Sequence, residues 1–543
     1  MTRPAALRRT MVLYPPELNS RLTRSRNQPM TDKKAMSHVE WTYLVLGVAI
    51  VFGSTARFLP GLMAGFPLND GGMFLSMIQD LQESRYRLPE FTSYNQLGIP
   101  YAYPPFGFYV ARLLSDLSNV SELELLRWLP PFVNSLSILA FYLLASELLK
   151  SRSLGALASA FYALTPGAFG WFVMGGGLTR SFGSLFLLLS VFSVLRLFQA
   201  GQWKFVGLAA LFCGLTVLSH PEAGIHAAAA CFLVWLFFGR TVKSFLNAVI
   251  VGAGVVLVTS PWWGAILAYH GLAPFLSALS SGSYGVPVWR ALAGAILGRE
   301  SYVPVLAVLR VVGLGWGLWK REYFLAAWAV IPYLVEPRSA PSVVFYPFCM
   351  LVALAFAEAV PFFLSRLRNF SVAAGELYKS KAYNACLFLV LIYLFVESGL
   401  YGFRLVNNSL KPAELAAMTW IKENTPANAS FLILTGVKSP EIDPLVEWFP
   451  ALTERLSLST VQGYEWLGPG RFMEYYSDLA ELQGCKSAGC VEDWSARTGL
   501  GYQYVVIHSG QVGHAAVASF DGNANYRRVY AGDGVFVFEA NLP

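Results

Sequence analysis

The sequence predicts an α-helical polytopic membrane protein with about eleven spans, closed by a small extracytoplasmic α/β domain at the C-terminus. Three observations predict it. Hydrophobic residues fill 55% of the 543 positions and charged residues only 13%, roughly half the charge of an ordinary globular chain. The shortage is uneven: residues 41–403 carry 37 charges in 363 positions, whereas residues 404–543 carry 25 in 140. Apolar runs long enough for about 30 Å of hydrocarbon recur through the first region and cease in the second. A wholly soluble enzyme, a disordered chain and a small disulfide scaffold are thereby excluded. The net charge of +7 divides into +12 over 1–403 and −5 over the tail. Its positive part lies in short stretches between apolar segments, so no nucleic-acid partner is expected.

Residues 1–40 form a basic segment with Arg3, Arg8, Arg9, Arg21, Arg24, Arg26, Lys33 and Lys34 against three acids. No apolar core of a signal peptide comes before Trp41, and Met30 and Met36 remain alternative starts. The N-terminus is expected in the cytoplasm. Spans follow near 41–59, 128–149, 154–173, 182–199, 205–219, 223–239, 245–264, 302–319, 322–336, 342–364 and 384–403. The apolar stretch 104–114 is short and contains Arg112. If it does not span, Lys150/Arg152, Lys204, Arg240/Lys243, Lys320/Arg321 and Arg366/Arg368/Lys379/Lys381 all face the cytoplasm, as the positive-inside bias requires. It is therefore read as a helix at the outer interface. The domains become 1–40, a transmembrane domain 41–403, and an extracytoplasmic α/β domain 404–543.

This topology sends 61–127, 174–181, 220–222, 265–301, 337–341 and the tail to the outer side. Asp70, Arg180, His220, Glu222 and Arg338 then lie at outer helix ends or in loops beside them. Ionisable groups at such depth need a partner, water or a substrate. In the first loop, Gly71-Gly72 after Asp70 permits a turn or a close backbone approach. Phe74, Ile78 and Leu81 share one helical face, with Gln79, Asp80 and Gln82 away from it, as in an interfacial amphipathic helix. Tyr103-Pro104-Pro105 stiffens the return to the membrane.

An apolar first span, an acid soon after it, an amphipathic loop helix and a YPP turn together resemble the GT-C superfamily. Its members are polytopic glycosyltransferases that take sugar from a polyprenyl-phosphate donor. In the tail LAAMTWIKENTPANASFLILTG (415–436), EWFPALTERLS (447–457), GYEWL (463–467) and YRRVYAGDGVFVFEA (526–540) are similar to segments of that setting. The resemblance implies hexosyl or pentosyl transfer on the outer face of the plasma membrane to a lipid, glycan or protein acceptor. It implies Asp70 as the catalytic base or acceptor-orienting acid, because a hydroxyl is a poor nucleophile until a carboxylate takes its proton. The departing phosphate needs a cation, and Arg338 in EPRSAPS is similar to the cationic loop residue near the lipid phosphate; an ion pair with Glu336 is the alternative. Tyr103, Arg180, Glu222 and His220 join the substrate-binding set. Where many relatives carry a second acid, this chain reads MGGGLTRS (174–181), either an anion-binding nest of N–H groups beside Arg180 or a tight helix connection with a snorkelling Arg. No WWDYG motif is present, which disfavours transfer to asparagine.

LSHPEAGIH (218–226) groups His220, Glu222 and His226. A divalent metal (Mg or Mn), a substrate contact and a helix cap with a His–Glu hydrogen bond all remain open. Trp262-Trp263, Tyr284, Trp289 and Tyr302 are read as an interfacial aromatic belt, with sugar stacking as the alternative. In the tail, a helix is expected at 412–423, strands at 430–435, 503–507 and 535–539, and helices at 470–483 and 491–497. His508, His514 and Asp521 are read as structural. Cys213, Cys231, Cys349 and Cys386 read as buried apolar residues, whereas Cys485 and Cys490 suit a disulfide outside the cell. No phosphate loop or dinucleotide fingerprint occurs. A lipid-linked sugar flippase and a non-catalytic membrane receptor or assembly protein are the rival functions. A flippase is disfavoured by charges gathered at the outer face instead of the midplane.

Overall fold

The first span starts earlier than hydropathy suggests, because Ser37 and Glu40 form a capping box. Ser37 Oγ accepts the Glu40 N–H at 3.2 Å and Glu40 Oε2 accepts the Ser37 N–H at 2.7 Å, satisfying two otherwise orphaned donors. The computed structural model describes residues 36–280, 287–298, 300–367, 379–468 and 470–541. The eight basic residues of the N-terminal segment, Met30, Tyr284 and Arg368 lie outside the described residues.

In chain order the helices are α1 (His38–Ala64), α2 (Gly72–Glu83), α3 (Phe106–Ser118), α4 (Glu122–Leu148), α5 (Arg152–Ala163), α6 (Gly177–Ala200) and α7 (Lys204–Ser219). Then come α8 (Pro221–Phe238), α9 (Val242–His270), α10 (Ala273–Ser280), α11 (Val288–Leu297), α12 (Val305–Trp319) and α13 (Tyr323–Val335). The helices Ala340–Arg366 and Lys381–Val406 complete the bundle. Among the described residues, seven helices are long and apolar enough to cross a membrane: α1, α4, α6, α8, α9, 340–366 and 381–406. α7, α12 and α13 are shorter apolar helices. The expected loop 265–301 contains the end of α9 together with α10 and α11.

The expected span 154–173 is not one helix: α5 stops at Ala163 and two short 3₁₀ turns follow. Pro166 disfavours helix at Thr165, and Arg57 on α1 closes the end that results. Its side chain is fully buried and donates to Ala163 O at 2.7 Å, Gly53 O at 2.9 Å and Asn134 Oδ1 at 2.6 Å. A guanidinium at the C-terminus of α5 satisfies a carbonyl the helix leaves open and complements its dipole. The rings of Phe169 and Tyr162 lie 5.2 and 5.6 Å from the guanidinium carbon.

The first loop departs from the expected interfacial helix. α2 is buried on most sides, between α3 and a tail helix, Pro444–Thr453. α3 spans 13 residues, about three and a half turns, and its Arg112 is paired with Asp116 and Glu122. A two-stranded hairpin, β1 (Phe91–Thr92) against β2 (Ile99–Pro100), links the two helices.

The tail opens with the helix Pro412–Asn424 and builds β3 (Ser430–Leu434), β4 (Leu456–Ser457), β5 (Tyr504–His508), β6 (Tyr526–Gly532) and β7 (Val535–Ala540). Their spatial order is β4-β3-β5-β7-β6, with β3 parallel to β4 and β5 and the β5/β7 and β7/β6 pairs antiparallel. Side chains alternate between faces. Leu432, Leu434, Val505 and Ile507 face the helices Arg471–Leu482 and Ala488–Thr498. Phe431, Ile433, Tyr504, Val506, Val535 and Val537 join one core with α2 and α3 of the first loop. The strands β4 and β6 and the 444–453 helix were not expected from the sequence. Cys485 and Cys490 are disulfide-bonded. Of the four remaining cysteines Cys349 is buried, Cys213 and Cys231 are half-buried, and Cys386 is exposed, contrary to the expectation of burial.

Replacing Arg57 by Met would strand Ala163 O and Asn134 inside the protein. The expected loss is about 3–5 kcal/mol, read as a lower thermal midpoint of the purified protein in detergent; an unchanged midpoint would remove Arg57 from this role.

Candidate active site

Asp70 ends a turn that bends the chain sharply out of the first span. Asn69 adopts left-handed geometry (φ 54°) and Gly71 has φ 142°, a region open to glycine and closed to most side chains. The turn is tied to two distant segments: the Asn69 N–H donates to Asn408 O at 2.5 Å and the Gly175 N–H to Leu68 O at 2.9 Å. With its amide oriented to satisfy both contacts, Asn69 donates to Ile442 O and accepts from the Asp70 N–H.

The Asp70 carboxylate lies at the N-terminus of α6. Oδ1 accepts the Gly176 N–H at 3.1 Å, and Oδ2 is ion-paired with Arg180. Positive helix-end dipole and guanidinium thus act on one acid. The three glycines of 175–177 therefore have a use other than the expected nest for a bound anion. Their N–H groups go to Leu68 O, Asp70 O and Met174 O, and the anion that Gly176 holds is the chain's own. A Cβ on Gly175 would overlap Asp70 O, and one on Gly176 would overlap both the Asp70 carboxylate and the Arg180 guanidinium. Arg180 also lies 5.1 Å from the Trp171 ring, so it is embedded instead of snorkelling.

The other residues expected from the sequence converge on the same region. Tyr103 OH contacts Thr179 Oγ1 at 3.3 Å, on the turn of α6 that carries Arg180. Its ring is 6.3 Å from His220 and 6.0 Å from Trp466 of the tail. Arg180 and Arg338 both act electrostatically on His220, and Arg338 Nε is 3.6 Å from Glu222 Oε1. The expected alternative, an Arg338–Glu336 ion pair, is replaced by this contact. Glu336 instead accepts the backbone N–H of Arg338 at 3.0 Å and of Ser339 at 2.8 Å, which folds the loop around its carboxylate.

His220 Nδ1 accepts the Ala223 N–H at 3.3 Å and caps α8, while His226 turns to Ser339 at 2.9 Å and to Glu336. The His220, Glu222, His226 set is thereby divided. Among the described residues no three His, Cys, Asp or Glu side chains gather in a metal-holding group. Around Asp70 the donors do not fit a metal either: its two oxygens face an N–H and a guanidinium. Trp262, read as part of an aromatic belt, donates from Nε1 to Ala102 O at 3.2 Å beside Tyr103; Trp289 and Tyr302 are exposed.

One acid of the site escaped the sequence reading. Glu447, only 3% exposed, lies at the N-terminus of α2 and accepts the N–H groups of Gly71 (3.1 Å), Gly72 (2.9 Å) and Met73 (3.2 Å). Its neighbour Trp448 donates from Nε1 to Asn69 O at 2.8 Å. The only signal was EWFPALTERLS, which looked family-like without suggesting a role. Burial pushes the Glu447 carboxyl up to about 8; the Asp70 charge adds to the rise, and the three N–H bonds oppose it.

Two outcomes follow from this geometry. Gly176→Ala forces overpacking beside Asp70 and is expected to cost about 1–3 kcal/mol. Gly207→Ala, with nothing near its added Cβ inside α7, is expected to gain up to about 1 kcal/mol. Thermal melts compare the two. Because Glu447 titrates higher folded (about 8) than unfolded (about 4.3), its contribution is complete below the unfolded value and lost as pH rises to the folded one. Wild-type stability should therefore fall relative to Glu447→Gln between about pH 5 and 8 and run parallel above, as measured by unfolding across pH.

Residues 102–264, which include Tyr103, Arg180, His220 and Glu222, match the dolichyl-phosphate-mannose-protein mannosyltransferase family. Among solved structures, the archaeal oligosaccharyltransferase AglB from Archaeoglobus fulgidus, in complex with an inhibitory peptide and a dolichol-phosphate, is 15% identical with a TM-score of 0.54, covering 92% of this chain and 74% of AglB. Apo ArnT from Cupriavidus metallidurans is 14% identical with a TM-score of 0.50, covering 93% and 98%. The arabinofuranosyltransferase AftD from Mycobacteria is 14% identical with a TM-score of 0.50, covering 94% of this chain and 40% of AftD. At such identities the likeness is one of fold. No curated protein matches the chain in sequence. The chain thus shares its fold with these membrane glycosyltransferases, and its segment 102–264 matches the mannosyltransferase family within that fold.

Proposed function

We propose that the protein transfers a sugar from a polyprenyl-phosphate donor to an acceptor hydroxyl at the outer face of the plasma membrane. The observation that carries the residue roles is the Asp70–Arg180 pair at the N-terminus of α6. In the reaction, the bond between the anomeric carbon and the phosphate oxygen breaks while the acceptor oxygen bonds to that carbon. Asp70 receives the acceptor proton. The negative charge growing on the leaving polyprenyl phosphate is met by Arg180 and Arg338. Donor phosphate competes with Asp70 for the Arg180 guanidinium, so donor binding loosens the pair and frees the carboxylate as a base. Tyr103 lines the site with His220. Glu222 holds Arg338 until phosphate arrives.

This reading needs no metal step, because the cation beside Asp70 is an arginine of the chain. A solved AglB structure is in complex with zinc and sulfate; the residues around Asp70 here do not supply an equivalent set of donors. The N-terminus in the cytoplasm, the tail outside and the 404–543 domain as a cover over the site belong to the same proposal. The acceptor is a lipid, a glycan or a protein; a dolichol phosphate and a peptide in one AglB complex support these kinds of partner.

The test uses purified protein in lipid with radiolabelled polyprenyl-phosphate sugars. Asp70→Asn is expected to lower transfer at least about 1,000-fold while the protein stays folded, a loss in the range of a removed proton acceptor with its electrostatic role. Arg338→Ala is expected to weaken donor binding about tenfold or more, the loss of one charge-assisted contact. Chelator should leave the rate unchanged. Full transfer by Asp70→Asn overturns the assignment. Lipid binding without transfer in the wild type would favour the flippase or receptor reading.

A further inference from the structure

The backbone that carries Asp70 is held by the tail on one side. Trp448 takes Asn69 O, and Glu447 takes three consecutive N–H groups at Gly71, Gly72 and Met73. Both side chains project from one turn of the 444–453 helix. That turn is itself held, since Tyr94 OH donates to Glu447 O at 2.6 Å and the Trp448 ring packs edge-on against Phe66 at 4.9 Å. Gly71 and Gly72 have no room for a Cβ because the Trp448 ring and the backbone of Glu447 occupy the space. On the opposite side, the Gly176 N–H bonds to both Asp70 O and Asp70 Oδ1. The peptide groups on both sides of Asp70 are thus fixed from two directions, one membrane-side and one tail-side.

We propose that Glu447 is a positioning residue for Asp70: by binding the N–H groups of residues 71–73, the tail sets the direction in which the catalytic carboxylate is held. The role rests on the glycosyl-transfer reading above. Glu447 itself stays off the substrate, being nearly fully buried under α2. A carboxyl group matches this task because both of its oxygens accept, so one side chain meets three of the four orphan donors that begin a helix. Aim matters for catalysis: a misplacement of about 1 Å at a reacting group costs about 100-fold in rate. Donor affinity, set by Arg180 and Arg338, should be spared. The role therefore predicts a split between turnover and binding that a loss of overall stability would not produce.

The experiment compares wild type, Glu447→Ala, Glu447→Gln and Trp448→Phe as full-length protein in lipid. It measures kcat and KM for a polyprenyl-phosphate sugar, together with hydrogen exchange at residues 69–75. Glu447→Ala is expected to lower kcat about 100-fold with donor KM within about threefold. Glu447→Gln keeps one accepting oxygen and should recover roughly a tenth of the wild-type rate. Trp448→Phe, which removes one N–H donor and keeps a ring, should fall between Gln and wild type. All three should speed exchange at Gly71–Met73, most in Glu447→Ala. Unchanged kcat in a folded Glu447→Ala overturns the proposal. So does a loss confined to thermal stability, or a rise in KM matching the fall in kcat. If Glu447→Ala does not fold, Glu447→Gln decides by the same criteria. If the wild type moves no sugar, the proposed function falls instead, and unaltered exchange at Gly71–Met73 in Glu447→Gln would still overturn the clamp.

Discussion

Two acidic side chains, each seated on the N-terminus of a helix from another part of the chain, join the tail, the first loop and the bundle. Asp70, from the loop after α1, occupies the start of α6; Glu447, from the tail, occupies the start of α2, which begins directly after Asp70. Each acid satisfies donors that a helix end leaves open, and the charge of Asp70 also complements the α6 dipole. Because the second helix is the one that Asp70 introduces, the two interactions are linked in series. The membrane bundle grips the acid, and the acid's own helix is gripped by the tail. The close approach this requires explains the glycines at 71–72 and 175–177, whose common property is the absence of a side chain in a crowded junction.

The same junction accounts for the form of the tail. Its sheet is apolar on both faces, and the face formed by Phe431, Ile433, Val506 and Val537 shares a core with Met77, Ile78 and Phe108 of the first loop. A hydrophobic face buried against a neighbouring segment stabilises both. α2 is therefore an interior helix, and its apolar stripe, which reads as membrane-interfacial in isolation, is a packing surface. Within the bundle, Arg57 does for α5 what the two acids do for α6 and α2. It closes a helix end with a charged group, in this case a cation at a C-terminus.

Much of this was legible in the sequence. Loop parity under the positive-inside bias puts Asp70, Arg180, Tyr103, His220, Glu222 and Arg338 on one expected side; their convergence on that side comes from helix packing. Three things were hidden, for separate reasons. Glu447 acts on residues 376 positions away, and no local pattern encodes such a partner. Its helix was obscured by Pro450, which removes the N–H that Val446 O would accept; Thr460 Oγ supplies a replacement at 2.7 Å. The break after Ala163 has a local signal in Thr165-Pro166-Gly167, which the high hydropathy of 154–173 outweighs; Arg57 from another span then closes the helix end. The glycine run leaves an anion nest or a tight helix connection open, and the structure puts the chain's own Asp70 on the Gly176 N–H.

The distance between Gly71 and Glu447 along the chain also sets an order of events during synthesis. At about 5–20 residues per second, Glu447 leaves the ribosome roughly 20–75 s after the Asp70 turn. Throughout that interval the amides at 71–73 lack their partner, and the sheet face that covers α2 has not been made. A nascent chain carrying the helices up to Val406 would hold Asp70, Arg180 and Arg338 without the segment whose Glu447 and Trp448 bind the backbone beside Asp70. A chain that stops before Glu447 therefore keeps the Asp70–Arg180 pair but leaves the amides of Gly71, Gly72 and Met73 without their acceptor.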